Sequence, residues 1–238
     1  LPRRTSLARI ISPRSAADAV LPAFLYNFAL VTGGMSLLLA VVTIWPSAGG
    51  GFKSDGKRVW ELLRPSPRSD QEAALLLLTS ASLAGIRPAD YDPKLVRRAL
   101  ALNDGSLFDR YARFTIYFHA ADRAEWGRAQ ELLDAVVAGD ENLPAYLRAA
   151  VRCEYAWLLA TGAGDAVTAR AWLDSAGPLE FDPATRLRAE AAVLAAEHRP
   201  DEARAKAQAA LEALHRRTLG PVRSPFVEDA IRQILDRV

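Results

Sequence analysis

Between Ala19 and Phe52 the chain carries no aspartate, glutamate, lysine or arginine. The most apolar part, PAFLYNFALVTGGMSLLLAVVTIW, runs from Pro22 to Trp45. About 20 apolar residues suffice for a helix to cross the hydrocarbon core of a bilayer, so the segment predicts one transmembrane helix. Asn27, Thr32, Gly33, Gly34, Ser36 and Thr43 interrupt it. Such small and polar residues serve helix packing within membranes. A signal peptide would have a shorter apolar core and different flanks. A core helix of a soluble domain would show a polar face at helical spacing, and none is present. Arg3, Arg4, Arg9 and Arg14 precede the segment, and Lys53, Lys57, Arg58, Arg64 and Arg68 follow it. This slight basic excess leans toward a cytoplasmic C-terminal side.

The remainder is rich in alanine and leucine, with Val and Ile scattered, which favours helix over strand. The predicted class is therefore all-α. With 30 basic and 28 acidic residues, there is no clustered basic face of the kind that binds nucleic acid. Cys153 is the single cysteine, which excludes an intramolecular disulfide and a cysteine-based zinc site; within VRCEYAWLLA it reads as a buried helical residue. No P-loop, dinucleotide fingerprint or serine-nucleophile elbow occurs. The sequence opens at Leu1, and Met35 is its one methionine, so an upstream part is expected.

Four stretches follow from this pattern. Residues 1–18 form a basic N-terminal segment, and 19–52 the transmembrane helix with a Gly-rich turn. Residues 53–104 hold a short helix (VWELLR), a two-proline linker (Arg64 to Asp70), a helix over Gln71–Ala84 and another opened by Asp92-Pro93, with Asp as cap and Pro in the first turn. Residues 105–238 show helix pairs recurring at roughly 34 to 40 residues, the size of a tetratricopeptide-like unit. The second helices align as EWGRAQELLDAVV, DAVTARAWLDSA and PDEARAKAQAALEAL. Each carries an alanine, Ala129, Ala169 or Ala203, where two helices must approach closely. Turns are expected at Ala121-Asp122, Gly162-Ala163-Gly164 and Arg199-Pro200. Ser106 with Asp109 three residues on has the form of a capping box, and SPFVEDAIRQILDRV reads as a terminal capping helix.

Immediately after the apolar run come Thr43-Ile44-Trp45-Pro46, a turn at Gly49, Gly50 and Gly51, then Ser54-Asp55-Gly56 and a helix. This arrangement resembles the C-terminal motif of the site-2 protease family of intramembrane zinc metallopeptidases, over roughly Pro22 to Arg64. The resemblance implies that Asp55 is the third zinc ligand, the other two being histidines of a His-Glu-x-x-His helix in an earlier segment. It further implies peptide-bond hydrolysis of a membrane-embedded substrate. Thr43 stands where the family has asparagine. The three histidines, His119, His198 and His215, form no His-Glu-x-x-His, so no catalytic residue is assigned within this sequence and zinc depends on upstream histidines. Physically, a carboxylate near membrane depth is costly unless paired or metal-bound, and catalytic zinc takes three protein ligands with an open position.

Asp55 also has a simpler reading, as the cap of a helix starting near Lys57. That reading goes with a second function, a membrane-anchored helical-repeat adaptor that binds a protein partner. His119 is expected at a partly buried helix end, His198 in a turn and His215 on a solvated helix end. Trp45 and Trp60 read as interfacial anchors, and Trp126, Trp157 and Trp172 as packing residues. Asp140-Glu141 and Asp201-Glu202 suit helix starts, and Arg216 to Arg223 reads as a solvated connector.

Overall fold

The computed structural model describes residues 13–49, 52–64, 66–180, 182–216 and 225–238. The fold is almost wholly helical. The chain divides into two compact units, Leu1–Pro65 and Ser66–Val238.

In the first unit, helix α1 (Pro13–Ile44) contains the apolar run. Its stretch Pro22–Ile44 is long and apolar enough to cross a membrane, and none of it is buried within the protein. Phe24, Val31, Leu37 and Ile44 all stand exposed. An apolar face of this extent is far larger than a water-facing surface normally carries. After α1, strand β1 (Ala48–Gly49) pairs antiparallel with β2 (Phe52–Lys53), Gly49 opposite Phe52. Helix α2 (Asp55–Leu63) follows directly.

The second unit begins with α3 (Pro67–Leu83), inside the stretch read as a linker. The cause is local. Ser66 and Ser69 form a reciprocal cap: each side chain accepts from the other's backbone N–H, at 3.1 and 2.8 Å, and Pro67 occupies the first turn, where its missing N–H costs nothing. Helix α4 (Pro93–Ala99) starts at the expected Asp92 cap, whose carboxylate accepts from Lys94 N at 2.8 Å. Three consecutive helix pairs come next. They are α5 (Leu107–Asp122) with α6 (Trp126–Val137), α7 (Ala145–Leu158) with α8 (Ala166–Ser175), and α9 (Pro183–Ala196) with α10 (Pro200–Arg216). Connections this short force neighbouring helices to run antiparallel. Helix α11 (Pro225–Arg237) packs on α9 and α10.

Ala129, Ala169 and Ala203 are each fully buried, as close helix approach requires. The turns differ by a residue or more from the sequence reading. Helix α5 runs through Asp122 because its carboxylate takes Arg87 Nε at 2.9 Å and Ala89 N at 2.9 Å, and the turn falls at 123–125. The π-turn Leu159–Ala163 continues α7, and Gly164 ends it at φ +66°. Of the capping box, half is present: Ser106 Oγ accepts from Asp109 N at 3.2 Å, but the Asp109 carboxylate accepts from Gly105 N at 3.1 Å rather than from Ser106 N.

Three turns close alike. Left-handed residues at Gly85 (φ +81°), Ala124 (φ +55°) and His198 (φ +60°) follow α3, α5 and α9. The next N–H then bonds back five residues, Ile86 to Ala81 O, Glu125 to Ala120 O and Arg199 to Leu194 O, at 2.9 to 3.0 Å. This is the Schellman closure, which satisfies the last carbonyls of a helix.

Candidate functional site

The Ser54–Asp55–Gly56 stretch is the most tightly specified part of the first unit. Ser54, not Asp55, caps α2: its Oγ accepts from Lys57 N at 3.2 Å. The expectation that Asp55 itself caps a helix beginning near Lys57 is thereby corrected, since the helix starts two residues earlier and the serine hydroxyl already holds the third amide. The same Oγ donates to Trp45 O at 2.5 Å and accepts from Ser47 N at 3.0 Å, and Ser54 N donates to Ser47 O at 3.0 Å. One serine thus ties the start of α2 to the end of α1.

Gly56 completes the tie by contact. A Cβ built on it would lie 1.6 Å from Ile44 O and 2.4 Å from Ile44 C. The contact is with backbone, so any side chain here would push the two helix ends apart. Asp55, between the clamp serine and the contact glycine, is the first residue of α2 and is exposed. A carboxylate here faces the positive end of the helix dipole. Among the described residues it makes no hydrogen bond or ion pair. Thr43 turns inward on its own helix, its hydroxyl donating to Leu39 O at 2.8 Å and Ala40 O at 3.1 Å. Such back-bonding satisfies the hydroxyl locally. Pro46 follows the end of α1, and Gly49 lies in β1; Gly50 and Gly51 fall outside the described residues.

Among the described residues, no three His, Cys, Asp or Glu side chains stand together as a metal site. One carboxylate is not a zinc site, so these residues alone do not fit the ion. The histidines have other employment. His119 Nδ1 sits 2.6 Å from Pro88 O, His198 forms the left-handed turn, and exposed His215 lies 3.8 Å from Glu228.

The second unit holds a buried charge cluster that sequence reading missed. Glu154 on α7 and Arg188 on α9 are ion-paired in the core, 2% and 0% exposed. Tyr117 Oη of α5 donates to Glu154 Oε2 at 3.0 Å. The Arg188 guanidinium lies 4.6 Å from the Trp157 ring centroid and 5.7 Å from that of Phe226, a desolvated cation–π arrangement. Burial pushes the Glu154 carboxyl above its ordinary value, while Arg188 and Tyr117 pull it back. The available signal was positional: Glu154 is the one acid in the apolar run Val151–Ala160, and Arg188 falls on the alanine face of α9.

Of the other residues singled out, Cys153 is fully buried, and burial raises its thiol to about 12. Trp126 and Trp157 touch, and Trp172 stacks on Tyr155. Trp45 and Trp60 are exposed. Asp140 lies in a short 3-10 turn and pairs with Arg152 at 2.7 Å. Asp201 and Glu202 occupy the first turn of α10. The connector from Arg217 to Arg223 falls outside the described residues.

No protein-family model, curated protein or solved structure matches the chain.

Proposed function

We propose that this chain is the C-terminal part of an intramembrane zinc metallopeptidase of the site-2 protease type, with Asp55 as one zinc ligand. The observation that carries the reading is the clamp. Ser54 and Gly56 hold Asp55 directly beyond the end of an apolar, membrane-length helix, and among the described residues its carboxylate takes no partner. A carboxylate needed only for helix capping would not require this, because Ser54 already caps α2. The ion would take two imidazoles from outside these 238 residues, and when bound it would supply an activated water. What this chain contributes is a positioned anionic oxygen and a backbone without a side chain at position 56. The same reading takes residues 105–238, α5 to α11, as a tetratricopeptide-like array on the cytoplasmic side that binds substrate or partner. The buried Ala129, Ala169 and Ala203 and the like closures at Ala124 and His198 support it. The test is the reading frame upstream of Leu1. A membrane segment bearing His-Glu-x-x-His is the expected result; a frame whose upstream segments lack it overturns the zinc assignment.

A second reading is a membrane-anchored adaptor. It is favoured by Asp55 standing in the first turn of α2, where its charge suits the helix dipole without any metal.

A further inference from the structure

Helix α2 has one apolar face. Gly56, Val59, Trp60 and Leu63 fall at i, i+3, i+4 and i+7, the spacing that gathers residues on one side of a helix. Lys57 and Glu61 stand on the other side and pair at 3.7 Å. Gly56 is where the apolar face meets α1, against the Ile44 carbonyl. The rest of the face stays open: Val59 is 55%, Trp60 45% and Leu63 74% exposed. Two observations say what covers it. The first is position. The Gly56 contact and the ties from Ser54 to Trp45 O and Ser47 N hold the start of α2 across the end of the candidate membrane span. A helix carbonyl at a C-terminus points out along the helix axis, so the face of α2 that meets Ile44 O looks back toward the bilayer that α1 would cross. The second is charge. Residues 53–64 hold four basic side chains, Lys53, Lys57, Arg58 and Arg64, against two acidic ones, Asp55 and Glu61. Anionic headgroups attract basic residues that flank a membrane helix. Trp45, at the end of α1, is exposed beside this face, and tryptophan settles at headgroup level.

We propose that α2 lies flat on the membrane surface, with Val59, Trp60 and Leu63 inserted among the lipids and Lys57, Arg58 and Arg64 at the level of the headgroup phosphates. Amphipathic helices of this kind bury their apolar face about 5–10 Å into the boundary between headgroups and acyl chains. The Arg64 guanidinium already lies 4.2 Å from the centroid of the Trp60 ring, so its charge sits at the rim of the inserted face. So placed, α2 sets the depth of the Ser54–Asp55–Gly56 turn against the bilayer. Both functional readings share the membrane span on which this placement rests, and zinc at Asp55 does not enter.

The test reconstitutes the full chain in phosphatidylcholine vesicles with and without phosphatidylglycerol. In a Cys153→Ala background, Leu38→Cys, Val59→Cys, Glu61→Cys and Leu63→Cys each carry an environment-sensitive fluorophore. The labels at positions 59 and 63 should be quenched by spin-labelled lipid, and should be several-fold less accessible to aqueous iodide than the label at 61. Phosphatidylglycerol should strengthen the lipid quenching, and salt should reverse that gain. Val59→Asp should return the label at 63 to water, with circular dichroism confirming that the helices persist. Equal iodide access at 61 and 63 overturns the proposal. Shielding at 63 without quenching by lipid overturns the bilayer as the occupant, in favour of a second copy of the chain. The label at 38, within α1, separates the two levels of failure. Deep lipid quenching at 38 with position 63 open to iodide overturns the placement of α2 alone, whereas iodide access at 38 overturns the membrane span and the placement together.

Discussion

Two small side chains beside Asp55, those of Ser54 and Gly56, hold the start of α2 against the end of α1. Ser54→Ala removes a cap and two ties to the end of α1. Loss of such a cap costs about 1 kcal/mol. Gly56→Ala is the harsher change, because its methyl would collide with the Ile44 carbonyl. Cysteine pairs placed across the ends of α1 and α2 should cross-link readily in the parent chain and poorly in Gly56→Ala; equal cross-linking would contradict the close approach. Cys153 provides a second check. A thiol raised to about 12 by burial is almost entirely protonated at neutral pH, and the thiolate is the reactive form. It should therefore resist a thiol reagent until the helical unit unfolds, and labelling of the native chain would show the site to be open. The Asp-Gly pair was legible from its place after the apolar run. The roles of Ser54 and Gly56 were not, because they depend on Trp45, Ser47 and Ile44 folding back against them across a turn.

At the scale of elements, the helices read well from periodicity and capping residues, while their boundaries moved wherever a tertiary contact intervened. Arg87 and Ala89 hold Asp122 inside α5, and no local pattern announces a partner 35 residues away. The Ser66–Ser69 cap was hidden in a stretch whose two prolines looked like a linker. Left-handed Ala124 gives a direct test of the turn closures. An alanine in that conformation is strained by roughly 1–2 kcal/mol, part of which glycine's greater backbone entropy offsets. Ala124→Gly should raise stability to chemical denaturation by about 0.5–1 kcal/mol, and a loss of stability would contradict the assigned backbone. The ion pair that joins α8 to the end of α9 is pH-dependent with a definite sign. Arg170 holds the Glu197 carboxyl below its ordinary value. A depressed carboxyl contributes stability above its unfolded pKa, and that contribution fades as pH falls through the folded one. Glu197→Gln should therefore destabilise modestly at neutral pH, by under about 1 kcal/mol for a pair still within reach of solvent screening, and the difference should vanish in acid.

At the scale of the whole molecule, the chain joins an apolar helix that carries an anionic turn to a helical unit built around a buried charge. The all-helical class and the candidate membrane span were legible because both are written in composition and period. The Glu154–Arg188 pair was not, because each residue alone looks like one more solvated charge on an Arg- and Glu-rich helix. Its energetics follow from burial. Arg188→Met leaves Glu154 uncompensated and should cost about 3–5 kcal/mol, whereas replacing both partners with apolar residues of similar volume is often close to neutral. Denaturation of the single and double variants checks this, and equal losses in both would contradict a mutual pair. The first unit, with its candidate membrane span, carries the functional proposal. The measurement that tests it most directly is the zinc content and proteolytic activity of the intact gene's product, purified from membranes, with and without Asp55→Ala. The account predicts one bound zinc per chain in the parent, and loss of both metal and cleavage in the variant while the helical unit stays folded. Unchanged zinc and cleavage in Asp55→Ala, or no zinc in the parent, would contradict it.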